Sequence, residues 1–88
     1  MPPFNIQLKQ SVEKDLRKLP ASVVRHVFEA LDKLAEEPSV PPDRKLSGTE
    51  RTWRRRIGDY RIIYELDLSN QTVIIHYVRH RKEVYRRL

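Results

Sequence analysis

The sequence contains no cysteine, which excludes a disulfide framework and any thiolate-held metal and leaves a reducing compartment as its natural setting. Only two of its 88 residues are glycine, Gly48 and Gly58, so there is no glycine-rich loop to cradle a nucleotide phosphate. Nowhere do eighteen apolar residues run together, and the opening MPPFNIQLKQ has neither the apolar stretch nor the small-residue cleavage pattern of an export signal. No membrane partner is expected, and the expected location is the cytoplasm. A serine-histidine-acid arrangement is also missing, as is any histidine-carboxylate cluster at metal-ligand spacing. Neither a metal nor a cofactor is therefore expected.

What is present suffices for one domain spanning 1–88. A hydrophobic content of 39% supports one compact core, which in a chain this short buries roughly two-thirds of the unfolded surface. The net charge of +6 is unevenly distributed. Residues 1–40 carry six Lys/Arg against six Asp/Glu, whereas residues 41–88 carry twelve Lys/Arg, ten of them arginine, against six Asp/Glu. The whole excess lies in the second half, as a site for a planar anion would require or as a solvated basic surface would also give.

Phe4, Ile6 and Leu8 alternate with polar residues, the period of a half-buried strand. Ser11 is placed as an N-cap ahead of Val12, Leu16 and Leu19, whose helical spacing ends at Pro20. A second helix carries Val23, Val24, Val27, Phe28, Leu31, Leu34 and Ala35 on one stripe and closes at Pro38. PSVPPDRKLSGTE reads as an irregular connection. Strands are predicted over 51–57, from 60 to 66 or a little beyond, and from 72 to 78 or a little beyond, with a short final helix in KEVYRRL. The expected fold is α+β: a small antiparallel sheet with a helical hairpin on one face, in the order β-α-α-β-β-β-α.

Gly58-Asp59 suits a two-residue type II′ turn, which pairs Ile57 with Tyr60, Arg56 with Arg61 and Arg54 with Ile63. A second turn within Leu68-Ser69-Asn70-Gln71 pairs Tyr64 with Ile75 and Arg61 with Val78. One face then gathers Trp53, Ile57, Tyr60, Ile62, Tyr64, Leu66, Val73, Ile75 and Tyr77 as the wall for the helices. The other gathers Arg54, Arg56, Arg61, Glu65, His76, Val78 and His80. Like charges opposite one another across strands are destabilising, so the Arg56/Arg61 pair either splays into water or grips a phosphate bidentately. RNA carries its own nucleophile, the 2′-hydroxyl, so a protein acting on it need only align the strand, stabilise the charge on phosphorus and move two protons.

Four segments, KDLRKLP, RKLSGT, WRRRIGDYRIIYEL and VRHRKEVYRRL, together resemble the RelE/ParE superfamily of toxins from bacterial type II toxin-antitoxin systems, in its RelE-like branch. The resemblance covers nearly the whole chain. It implies a fold similar to compact microbial ribonucleases and a metal-independent endoribonuclease that cuts mRNA in the ribosomal A site and so inhibits translation. It also implies a cognate antitoxin as partner, the ribosome and mRNA as targets, contact with promoter DNA through the antitoxin complex, and a bacterial cytoplasm. Matched residue by residue, it makes Arg61, Arg81, Tyr85 and His80 the catalytic candidates and Arg54, Arg56, Arg51 and Lys45 the RNA and phosphate contacts. The best-known member of the family has lysines where this chain has Arg54 and Arg56. Arginine is a poor base, which passes the proton-accepting role to Tyr85, whose phenolate nearby positive charge favours, or to His80. The alternatives within reach of the same basic face are a ParE-like inhibitor of DNA gyrase and a non-catalytic ribosome- or RNA-binding module.

Overall fold

The computed structural model describes residues 3–38, 44–45 and 52–80. The chain runs β1 (Asn5–Leu8), α1 (Gln10–Arg17), α2 (Ala21–Glu36), β2 (Arg44–Lys45), β3 (Thr52–Ile57), β4 (Tyr60–Asp67) and β5 (Thr72–His80). The expected final helix, with Arg81 and Tyr85, lies outside the described residues, as does Arg51. No helix among the described residues is long and apolar enough to cross a membrane.

The apolar stripe of α2 packs as its spacing predicts except at Phe28, which stands 48% exposed at the margin of the stripe instead of in the core. Val27, Leu31 and Leu34, joined by Val12 of α1, pack on Ile62, Tyr64 and Leu66 of β4 and on Val73, Ile75 and Val78 of β5. Each such side chain contributes on the order of 1.5–3 kcal/mol on burial. Trp53 and Ile57 extend this wall onto β3 as half-buried neighbours. Pro20 heads α2 rather than merely ending α1: its carbonyl accepts the N–H groups of Val23 and Val24, both at 3.0 Å. Pro38 stops the helix by keeping Glu37 out of the helical region, at φ −141 and ψ 84.

The sheet order is β1-β5-β4-β3-β2. Three features differ from the sequence expectation. The first is that β1 pairs with β5 in parallel, so the sheet is mixed rather than wholly antiparallel; β1 and β5 are joined through both helices and the intervening β2, β3 and β4, a connection long enough for a parallel pair. The second is that the presumed irregular connection contains β2, whose Arg44 and Lys45 pair with Arg54 and Trp53.

The third bears on function. Ile63 pairs with Tyr77, but Tyr64 pairs with Ile75, so His76 is the extra residue of a β-bulge. A bulge shifts register by one, and a one-residue shift exchanges the two faces. Up to Ile75 the predicted parity holds. Beyond it Arg61 is opposite Arg79, not Val78; Val78 joins the core, 1% exposed; Tyr77 leaves the apolar wall; and His80 moves to the helix side opposite Tyr60.

The bulge lies where β1 runs out. Past Leu8, α1 serves the edge of β5 with side chains. Ser11 donates its hydroxyl to the His76 carbonyl at 2.6 Å and Asp15 accepts the Val78 N–H at 3.1 Å, after Lys9 has donated its N–H to Ile75. Ser11 is thus not the expected N-cap; Lys9 holds that position without a side-chain bond. The hydroxyl satisfies a half-buried edge carbonyl that β1 does not reach.

Candidate nucleic-acid interface

The site is built from the turn outward. Gly58 has φ +57 and Asp59 is not in the left-handed region, as a type II′ turn requires. The hairpin accordingly pairs Ile57 with Tyr60, Arg56 with Arg61 and Arg54 with Ile63, all as read from the sequence. The four-residue second turn, 68–71, brings Asp67 opposite Thr72. Asp67 braces it by accepting from the Ser69 hydroxyl at 2.8 Å, the Asn70 amide side chain at 2.8 Å and the Asn70 backbone at 3.2 Å.

Three arginines result in one row across three strands, Arg56 on β3, Arg61 on β4 and Arg79 on β5. With strands about 4.8 Å apart, the row spans roughly 10 Å at the backbone. The adjacent row is Arg54, Ile63 and Tyr77, with Arg44 as the register partner of Arg54 on β2. Arg56 is exposed and Arg54 half-buried. Arg61 is 2% exposed, the one buried charged side chain among the described residues. The sequence reading put Arg61 on the face away from the helices and left open whether it splays into water; splaying into water is excluded, because the middle of the row is enclosed.

Arg79 lies along the β5 edge. Its guanidinium carbon sits 4.6 Å from the centroid of the Tyr77 ring, a cation-π contact, and its Nε is 3.8 Å from Asp15 Oδ1. Sequence reasoning missed this residue because no glycine or proline marks the bulge. The available signal was the break in alternation between Ile75 and Val78.

Of the other candidates, Lys45 stands in β2 opposite Trp53. His80 is not brought to the arginine row. It packs edge-on against Tyr60, ring centroids 5.2 Å apart, and lines a cleft of about 370 Å³ with Asp15, Lys18, Leu19, Tyr60, Val78 and Arg79. His76 Nε2 lies 3.3 Å from Glu65 Oε1, an electrostatic contact farther along the sheet. Among the described residues no three histidine or carboxylate groups gather as a metal site. The arrangement therefore offers permanent positive charge in a fixed row, with the Tyr77 phenol beside it.

Residues 6–85 match the family of ParE toxins of the type II toxin-antitoxin system parDE. The sequence is 36% identical to toxin RelG of Mycobacterium tuberculosis, over 97% of this chain and 99% of that protein. The fold is similar to a chain of the archaeal RelE-RelB complex from Pyrococcus horikoshii, with a TM-score of 0.80 and 30% identity over 90% of this chain and 96% of that one. It is also similar to a chain of the RelBE2 toxin-antitoxin complex from Mycobacterium tuberculosis, with a TM-score of 0.78 and 30% identity over 89% and 98% of the two chains. With its signature segments, its register and its relatives in agreement, the chain belongs to the RelE/ParE superfamily of type II toxin-antitoxin toxins.

Proposed function

We propose that this toxin is a ribosome-dependent mRNA endonuclease that needs no metal, and that the Arg56-Arg61-Arg79 row receives the scissile phosphate. The observation that carries this reading is the row itself. Three like charges in register across adjacent strands oppose folding, and a bound phosphate turns that repulsion into attraction. In the reaction the 2′-oxygen loses its proton and bonds to the neighbouring phosphorus. The bond to the 5′-oxygen breaks, that oxygen takes a proton, and a 2′,3′-cyclic phosphate remains. Arg61, with Arg56 and Arg79 on either side, stabilises the added charge on the non-bridging oxygens, where fixed donors in an enclosed site act most strongly. Arg54, Arg51 and Lys45 hold flanking phosphates.

Arg81 and Tyr85 complete the set by resemblance, Arg81 as a further cation and Tyr85 as the proton-transfer group. His80, on the helix side beside Tyr60, is poorly placed for that role. A cognate antitoxin is the expected partner, as RelB is for RelE in the archaeal complex, with promoter DNA contacted through the pair. The match to the ParE family favours gyrase inhibition as the second reading. Both are tested together by adding the purified toxin to a reconstituted translation system and, in parallel, to a gyrase supercoiling assay. Cuts in translated mRNA with supercoiling untouched support the nuclease; inhibited supercoiling with intact mRNA overturns it.

A further inference from the structure

The segment KDLRKLP carried family resemblance without a role for any of its side chains. Its Asp15 projects from α1 to the edge of β5 and meets two groups there. Oδ2 accepts the Val78 N–H at 3.1 Å, and Oδ1 faces Nε of Arg79 at 3.8 Å. Both charged side chains are largely withdrawn from water, Arg79 at 19% and Asp15 at 13% exposure, where screening is weaker than on an open surface. Below the guanidinium lies the Tyr77 ring.

We propose that Asp15 is a positioning residue: it sets the Arg79 guanidinium at the end of the arginine row for contact with RNA phosphate. This rests on the nuclease reading above. A free arginine side chain carries about 2 kcal/mol of rotamer entropy, which a phosphate contact must overcome. A carboxylate at Nε and a ring beneath remove much of that freedom before RNA arrives. The carboxylate faces Nε as an ion pair at 3.8 Å, on the side of the guanidinium away from the terminal nitrogens, whose four N–H donors serve another oxyanion. The carboxylate is itself fixed, since Ser11, one helical turn earlier, ties the same helix to the His76 carbonyl.

The competing role is purely structural, with Asp15 serving only the Val78 N–H. Asp15→Asn separates the two, because the amide oxygen can still accept that N–H while the charge facing Arg79 is gone. The expected result is a fall in kcat for mRNA cleavage of about tenfold, with ribosome affinity within about twofold of wild type. In an Arg79→Gln background the same substitution should have no further effect, since a residue acting through another loses its influence when that other is removed. Independently of activity, the Nε–H resonance of Arg79 in the isolated toxin should move on Asp15→Asn. Equal effects of Asp15→Asn in the two backgrounds, or an unmoved Arg79 resonance, overturn the proposal. A wild-type protein that cuts no mRNA overturns the nuclease reading instead, and the Nε–H measurement then still decides whether Asp15 sets Arg79.

Discussion

Replacing Arg61 by methionine separates catalysis from folding more cleanly than truncation to alanine, because the side chain is 2% exposed and alanine would leave a cavity. Methionine keeps an unbranched stem of similar reach and adapts to irregular space. The substitution deletes the central charge of a row whose neighbours, Arg56 and Arg79, stand directly opposite it. Each opposed like-charge pair costs about 0.2–1 kcal/mol, so deleting the centre relieves roughly 0.4–2 kcal/mol. Against this stands the loss of the guanidinium's own contacts, at about 1.5–3 kcal/mol for one charge-assisted hydrogen bond. The terms partly cancel, and the unfolding free energy should stay within about 3 kcal/mol of wild type. Catalysis has no such compensation. Removal of one preorganised donor to a developing oxyanion costs about 10²- to 10³-fold in rate. Urea unfolding and single-turnover cleavage of mRNA on stalled ribosomes measure the two quantities on the same preparation. Arg61→Lys, which keeps charge but not the planar fork, should fall between wild type and Arg61→Met in rate. Cleavage by Arg61→Met within about threefold of wild type would refute the reasoning, given the expected loss. So would a loss of stability above about 4 kcal/mol, which would make Arg61 a structural residue.

Ribosome affinity should fall steeply with salt. The six cations assigned to phosphate, Lys45, Arg51, Arg54, Arg56, Arg61 and Arg79, give a slope of log K against log salt of roughly −4, and a flat dependence measured by filter binding would favour an apolar protein target. Gly58→Ala should destabilise by about 1 kcal/mol, because a left-handed φ of +57 strains any residue with a Cβ even where nothing lies within 4 Å of it; an unchanged melting temperature would count against the turn assignment. Ser11→Ala should lower stability by about 1 kcal/mol through loss of the bond to the His76 carbonyl, with faster hydrogen exchange at the neighbouring Val78 amide as the local sign. Unaltered exchange there would mean that the bulge holds without α1.

The hairpin was legible because its information is local. Gly58-Asp59 dictates the turn, the turn dictates the register, and the register places Arg56 against Arg61. The α2 stripe was legible for the same reason, apart from Phe28, whose spacing placed it on the stripe but which the sheet does not cover. The far half of β5 was not, since the bulge at His76 is held by a hydroxyl 65 residues away in sequence, and no residue of β5 announces it. That one displacement removed His80 from the arginine face and brought Arg79 onto it. The enclosure of Arg61 was equally hidden: strand parity tells which side a residue faces, not how deeply its surroundings cover it.

Two kinds of neighbour share the outer edge of β5. Strand β1 occupies it from Thr72 to Ile75, and beyond that the hydroxyl of Ser11 and the carboxylate of Asp15 take the places of a ladder's backbone groups. A backbone edge is a template that any extended chain can copy, whereas a hydroxyl and a carboxylate on a helix offer no repeat to extend. The arginine-bearing half of β5 is therefore closed to zippering by a foreign strand unless α1 is first peeled away. The molecule can be grasped across its faces without being lengthened into a shared sheet along this edge.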